Sequence, residues 1–348
     1  MSYFDKRDLI NRRKIGKYCE SLPSYCLDFF IAMESYSSSL TRVNYAMDLG
    51  TFFSYLGEYV FKKDKKDISL KEIDSLKANQ IEQYLSYLSF YESENGKMVK
   101  NNEKGKARKL SSVRSLFKYL FNHDLISSNV VSKIATPKIH NKEIIRLEVD
   151  EMQRMLDAPD NNTFSTRRKN YNLNTKERDS AIITLFLGTG IRISECVGLN
   201  VNDIDFNQNA IKVTRKGGNV AILYFPEEVA EALKIWLNKR STLPLETDAL
   251  FVSLQNKRIS IRAVQNLVKK YAKEASPLKK ISPHKLRSTF GTNLYRETKD
   301  IYIVADFLGH KDVNTTKRHY AAISEDMRKD VAKRVKLKWI FFLFSHKL

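Results

Sequence analysis

From about Ser21 to Ile134 the apolar residues recur at helical spacing, and this constrains the front of the chain more than any other feature. Tyr45, Leu49, Phe52, Phe53 and Leu56 mark one face, Ile81, Leu85 and Leu88 a second, and Leu110, Val113, Phe117, Leu120 and Phe121 a third. The spacing predicts a small all-helical domain over residues 21–136, preceded by a short basic extension, residues 1–20. The polar, turn-prone run Thr136-Pro137-Lys138-Ile139-His140-Asn141-Lys142 then breaks the pattern, so a linker is expected at 137–146. Beyond it a helical pattern resumes over Leu147–Leu156. Ile211–Thr214 and Val220–Phe225 read as short strands around a Lys216-Gly217-Gly218-Asn219 turn. The second domain, residues 147–335, is therefore expected to be mostly helical with a small sheet, followed by a tail at 336–348.

A length of 348 residues, too much for one typical core, agrees with two domains. The 60 Lys and Arg against 40 Asp and Glu leave a formal net charge of +20, which calls for a polyanionic partner, nucleic acid first among them. Cys19, Cys26 and Cys196 are odd in number and lack metal-ligand spacing, so a disulfide framework and a zinc site are not indicated and a reducing, cytoplasmic compartment is expected. The most apolar run, Trp339–Phe344, is too short to cross a bilayer, and the N-terminus has no apolar signal core. That run must nevertheless be buried somewhere.

Basic charge has one well-patterned location. The helix around Arg108–Phe121 sets its apolar stripe opposite Arg108, Ser111, Arg114, Ser115 and Lys118, and the loop before it supplies Lys100, Lys104 and Lys106. Arg and Lys satisfy phosphates while Ser and Arg reach base edges, so the face suits a DNA groove; a solvated helix face is the alternative. Lys62-Lys63-Asp64-Lys65-Lys66 reads as a solvated loop.

Three segments of the second domain carry chemistry. In Ser282-Pro283-His284-Lys285-Leu286-Arg287, Ser282 suits an N-cap and Pro283 the first helical position, which places an imidazole and a guanidinium in the first turn with the free amide donors an anion needs. In Leu187-Gly188-Thr189-Gly190-Ile191-Arg192-Ile193-Ser194-Glu195, an apolar helix from about Ser180 ends at glycines and a second begins near Arg192. Glu195, three residues on, can hold that guanidinium in one orientation. Phe307-Leu308-Gly309-His310, followed by Thr315-Thr316-Lys317-Arg318-His319-Tyr320, brings another imidazole just upstream of a tyrosine.

Taken in order, these segments resemble the tyrosine recombinases of the phage-integrase and Xer group, over about residues 21–335. Thr189–Glu195 matches the first arginine motif, Lys216 the β-hairpin lysine, His284 and Arg287 the His-x-x-Arg box, His310 the Leu-Gly-His box and Tyr320 the nucleophile. There are two departures. Tyr320 follows His310 at one residue more than the spacing common in the family, and a basic loop, Arg167-Arg168-Lys169-Asn170-Tyr171, precedes the first arginine.

The resemblance implies a mainly α fold, with an N-terminal helical core-binding (SAM-like) domain and a C-terminal mixed α/β catalytic domain carrying a small antiparallel sheet. It also implies a site-specific DNA recombinase that cleaves and rejoins strands through a 3′-phosphotyrosyl intermediate. Its catalytic residues are Arg192, Lys216, His284, Arg287, His310 and Tyr320, with Glu195 behind Arg192. Double-stranded DNA is the partner, the synaptic complex is a homotetramer, the tail at 336–348 docks on a neighbouring protomer or folds back on its own domain, and no cofactor or metal is required. A non-catalytic DNA-binding protein on the same fold and a type IB topoisomerase are the alternatives.

Overall fold

The computed structural model describes residues 2–93, 95–138, 145–161, 166–215, 218–310 and 312–314, those at 166–174 by backbone alone. The chain divides into two units, Met1–Lys142 and Glu143–Leu348.

The first unit is built on helices α1 (Tyr3–Cys19), α2 (Tyr25–Ala32), α3 (Ser39–Tyr55), α4 (Leu70–Asp74), α5 (Ala78–Tyr87) and α6 (Glu103–Asn122). Leu49, Phe52, Phe53 and Leu56 of the α3 stripe are fully buried, as are Ile81 and Leu88 and, on α6, Leu110, Val113, Phe117 and Leu120. Phe121 is the exception: adjacent to Leu120, it turns about 100° away and stays exposed. Phe52 lies at the centre, edge-on to Tyr84 and Phe117 at centroid distances of 5.1 and 6.3 Å.

Two readings of this half need correction. Tyr3–Cys19, expected as part of a short basic extension at 1–20, form the first helix of the unit. Ser2 and Asp5 cap it reciprocally, Ile15 joins the core, and Asn11 donates from its side-chain amide to the Ser39 hydroxyl on α3 at 2.9 Å. The unit is also not purely helical, since β1 (Tyr91–Glu92) and β2 (Met98–Val99) pair antiparallel ahead of α6.

The second unit contains α7 (Val149–Asp157), α8 (Thr166–Thr189), α9 (Ile193–Gly198), strands β3 (Ile204–Asp205), β4 (Ala210–Thr214) and β5 (Val220–Tyr224), then α10 (Glu227–Ser241), α11 (Ile261–Ala275), α12 (Pro283–Thr298) and α13 (Ile301–Phe307). Helix α8 packs against α7, α10 and α12. Arg167–Tyr171, expected as a loop, belongs to the helical backbone of α8. The strands form one antiparallel sheet in the order β3-β4-β5, with Ile211 opposite Leu223 and Thr214 opposite Val220. Ile211, Val213 and Leu223 face the core; Val220, Ile222 and Tyr224 point outward.

A buried ionic network ties α8 to α11. Arg178 donates through Nε and Nη2 to Asp179 Oδ1 and through Nη1 to the Val252 carbonyl, while the Tyr271 hydroxyl donates to Asp179 Oδ2 at 3.0 Å. Each charge has a partner, as burial demands. Together these contacts hold α8 still, and its C-terminus opens the site.

Candidate active site

Helix α8 ends because Gly190 takes the left-handed conformation, with φ +61°. Its N–H still reaches the Phe186 carbonyl at 3.0 Å, and the Thr189 hydroxyl donates to the Leu185 carbonyl at 2.6 Å, so the turn is hydrogen-bonded on both sides. The glycine also lets α12 approach: a Cβ there would strike the Phe290 ring, with Cγ at 3.0 Å and Cδ1 nearer still. Arg192 then occupies the residue before α9. Its N–H donates to Glu195 Oε2 at 2.9 Å and its Nη1 to Glu195 Oε1 at 2.8 Å. Both carboxylate oxygens, on a residue only 3 % exposed, thus grip one arginine by main chain and fork together.

Helix α12 starts with Pro283 in its first turn, and the Ser282 carbonyl accepts from the N–H groups of Lys285 and Leu286. The Ser282 side chain stands in the N-cap position but makes no capping bond, contrary to expectation. His284 is exposed, whereas Arg287, one turn on, is 6 % exposed and donates to the carbonyls of Gly190 and Leu308.

The Leu-Gly-His segment closes α13. The Gly309 N–H bonds the Asp306 carbonyl at 2.7 Å and the His310 N–H the Ala305 carbonyl at 2.9 Å, the paired bonds of a Schellman motif with Gly309 at φ +56°. Leu308 is buried with Val304 against Phe290, Leu294 and Tyr295. The closure leaves the Phe307, Leu308 and Gly309 carbonyls outside the helix's own ladder, at the negative end of its dipole. Arginines occupy them. Arg192 Nη2 donates to Leu308 and Gly309 at 3.0 Å each, and Arg287 Nη2 donates to Leu308.

Two arginines 95 positions apart in the chain, Arg192 and Arg287, therefore meet on one carbonyl, two residues before His310. Arg287 is enclosed, while 35 % of the Arg192 side chain remains exposed. His310 is partly exposed. Lys216 and Tyr320, the tail at 336–348 and linker residues 139–144 lie outside the described residues. Sequence reasoning missed Arg215, whose guanidinium packs over Gly309 and points Nη2 at the Phe307 carbonyl at 3.5 Å. Its place beside the expected hairpin lysine was the available signal.

In the first unit, Lys104 and Lys106, expected in a loop, lie in the first turn of α6, and Lys104, Arg108, Ser111 and Lys118 form an exposed stripe along it. Arg108, its side chain 50 % exposed, also pairs with the buried Asp48, which takes the Lys109 ammonium at 3.1 Å on its other oxygen. Lys106 donates to the Ser89 hydroxyl at 2.6 Å. Arg114 turns to the Ile134 carbonyl and the Thr136 hydroxyl and so braces the end of the unit. The structure therefore brings Lys104, Arg108 and Lys118 onto one open face and commits Lys106 and Arg114 to neighbouring polar groups.

The phage integrase family matches residues 145–327, the stretch holding every one of these catalytic-unit motifs. The chain belongs to that family. Among similar tyrosine recombinases, XerC of Caldanaerobacter subterraneus subsp. tengcongensis is 33 % identical over 94 % of this chain and 90 % of its own. XerC of Natranaerobius thermophilus is 32 % identical over 83 % and 91 %. The fold is similar to that of the XerH site-specific recombinase in its post-cleavage complex with palindromic difH substrate, at a TM-score of 0.66 and 19 % identity, covering 85 % of this chain and 80 % of that one. This phage integrase family member is a tyrosine-type, Xer-like site-specific recombinase, mainly α with small antiparallel sheets. Among the described residues no helix is long and apolar enough to cross a membrane.

Proposed function

We propose that the chain cleaves and rejoins double-stranded DNA at specific sites through a 3′-phosphotyrosyl intermediate. The Tyr320 phenolic oxygen attacks the scissile phosphorus, the bond to the 5′-oxygen breaks, and that oxygen leaves as a 5′-hydroxyl. The 5′-hydroxyl of a partner strand then attacks the phosphotyrosine and returns the phenol. One phosphodiester is exchanged for another by way of a phosphotyrosine of similar energy, so the balance requires no external energy source.

The observation that carries this reading is the meeting of Arg192 and Arg287 on the Leu308 carbonyl beside His310, with Glu195 fixing the first fork. Two planar forks aimed at one oxygen make an arrangement suited to the non-bridging oxygens of a pentacoordinate phosphate as charge builds on them. In this reading His310 adds a hydrogen bond. A phenol with an ordinary pKa of about 10 needs a proton acceptor at neutral pH, and His284 takes that role. Lys216 supplies the proton to the leaving 5′-oxygen; an ammonium beside a phosphate stays protonated until transfer.

The α6 stripe of Lys104, Arg108 and Lys118 would meet DNA phosphates, with Lys106 and Arg114 contributing once released from their present partners. Strand exchange requires four copies of the chain around two sites. The same chemistry serves integration and excision of a mobile element or resolution of replicon dimers.

The test is a nicked suicide substrate carrying the site recovered by sequencing DNA trapped covalently on the wild-type protein. Tyr320→Phe should bind it with unchanged affinity and form no covalent adduct. An adduct surviving that change removes Tyr320 as nucleophile, and supercoil relaxation by a monomer without strand exchange assigns a topoisomerase instead.

A further inference from the structure

We propose that Arg215 is a positioning residue of this site: it braces the Phe307–His310 turn and, through it, the Arg192 and Arg287 guanidiniums. The inference rests on the recombinase reading above. Arg215 directly follows the last residue of β4, and its backbone is locked in the hairpin mouth, its N–H donating to the Asn219 carbonyl at 2.7 Å and its carbonyl accepting from Gly218 at 3.1 Å. From that anchor the side chain reaches across 92 positions of sequence to the end of α13, where Nη2 lies 3.5 Å from the Phe307 carbonyl.

With Arg215 included, three guanidiniums face three successive carbonyls: Arg215 at Phe307, Arg192 and Arg287 at Leu308, and Arg192 again at Gly309. These carbonyls end a helix, so their partial negative charge favours all three cations. Gly309 makes the approach possible. A Cβ there would lie 3.0 Å from Arg215 Nε, with Cζ and Nη1 nearer still. The Nε itself is buried, with no hydrogen-bond partner among the described residues. A guanidinium nitrogen stripped of water in this way costs free energy, which the close contact with the turn has to offset. The sheet is thus pinned to the turn that aims the two phosphate-directed arginines.

The test uses the full-length chain, the nicked site described above, and a second duplex with a methylphosphonate at the scissile position. Arg215→Ala should slow single-turnover adduct formation on the ordinary phosphate by about 10²-fold, the scale of an ångström-level misplacement. Half-site Kd and the thermal midpoint should stay at wild-type values. The methylphosphonate carries no charge for the arginines to neutralise, so on it the gap between variant and wild type should close to less than about tenfold. Gly309→Ala, which drives Arg215 off the turn and also strains a backbone at φ +56°, should lose at least that factor. Adding Arg215→Ala to it should slow the reaction little further, because the contact that Arg215 makes is already broken.

Adduct formation by Arg215→Ala at the wild-type rate, an equally wide gap on the neutral linkage, or losses that multiply in the double variant would each overturn the assignment while leaving the recombinase reading intact. A wild-type chain that forms no adduct on the ordinary phosphate overturns that reading, and the role of Arg215 with it.

Discussion

Replacing Gly190 by alanine tests the site's architecture apart from its chemistry. Two costs are built in. At φ +61° an alanine is forced into the left-handed region, about 1–2 kcal/mol. Its Cβ also enters the Phe290 ring, with Cγ and Cε1 at 3.0 and 3.1 Å and Cδ1 closer, an overpacking cost of about 1–3 kcal/mol. The sum, about 2–5 kcal/mol, corresponds to a fall on the order of 10 °C in the unfolding midpoint of a unit this size. Differential scanning calorimetry of the full chain reads it.

A second background separates the two terms. With Phe290→Leu already present, Gly190→Ala should cost only the backbone part, about 1–2 kcal/mol, because the flat ring is gone. An equal cost in both backgrounds refutes the collision, and a loss below about 0.5 kcal/mol in the wild-type background refutes both terms. Phe290 also packs under Val304 and Leu308, so the displacement reaches the carbonyl that both arginines share.

Further expectations follow from other contacts. Arg192→Lys keeps the charge but cannot hold Glu195, Leu308 and Gly309 at once, so adduct formation should fall by about 10²–10³-fold in the suicide-substrate assay. Asp48→Ala strands the buried Lys109 ammonium and should cost about 3–5 kcal/mol by urea unfolding, whereas Arg108→Ala, at a half-exposed position, should cost far less. Burial pushes the Glu151 carboxyl up, but bonds from Lys279, the Glu148 N–H and Ser276 outweigh it and bring the group from 4.5 to about 2. A lowered carboxylate stabilises the fold above its unfolded value and loses that contribution on acidification, so stability should decline between about pH 4.5 and 2, and Glu151→Gln should flatten that slope.

What could be read from sequence was what is local. The Arg192–Glu195 pair is set by one helical turn, and the hairpin strands by a glycine turn between β-branched runs, so spacing sufficed. The turn after α8 was legible for the same reason. The partners that make these residues a site are main-chain carbonyls, at Gly190, Leu308 and Gly309, and a carbonyl has no residue type to announce it. Lys109 and Asp48 lie 61 positions apart, and a lysine on the inner face of α6 contradicts the simple stripe rule until its counter-ion is seen. Helix α1 was obscured because Ile15 is its one apolar residue fully in the core, and two-residue strands such as β1 and β2 are too short for any period to register. The α8 backbone at 167–171 lacks an apolar stripe, so a helix there had no periodic signature.

The shared Leu308 carbonyl bears on how an anion would be received. Guanidinium groups in open solvent must shed hydration before they can close on a ligand, and that toll falls on the binding step. Here folding has already dried Arg287, and has partly dried Arg192. An incoming phosphate oxygen would exchange places with an amide oxygen, one acceptor for another, so tightness of capture becomes a small difference between two bonded arrangements and selectivity passes to shape and to how many oxygens arrive together.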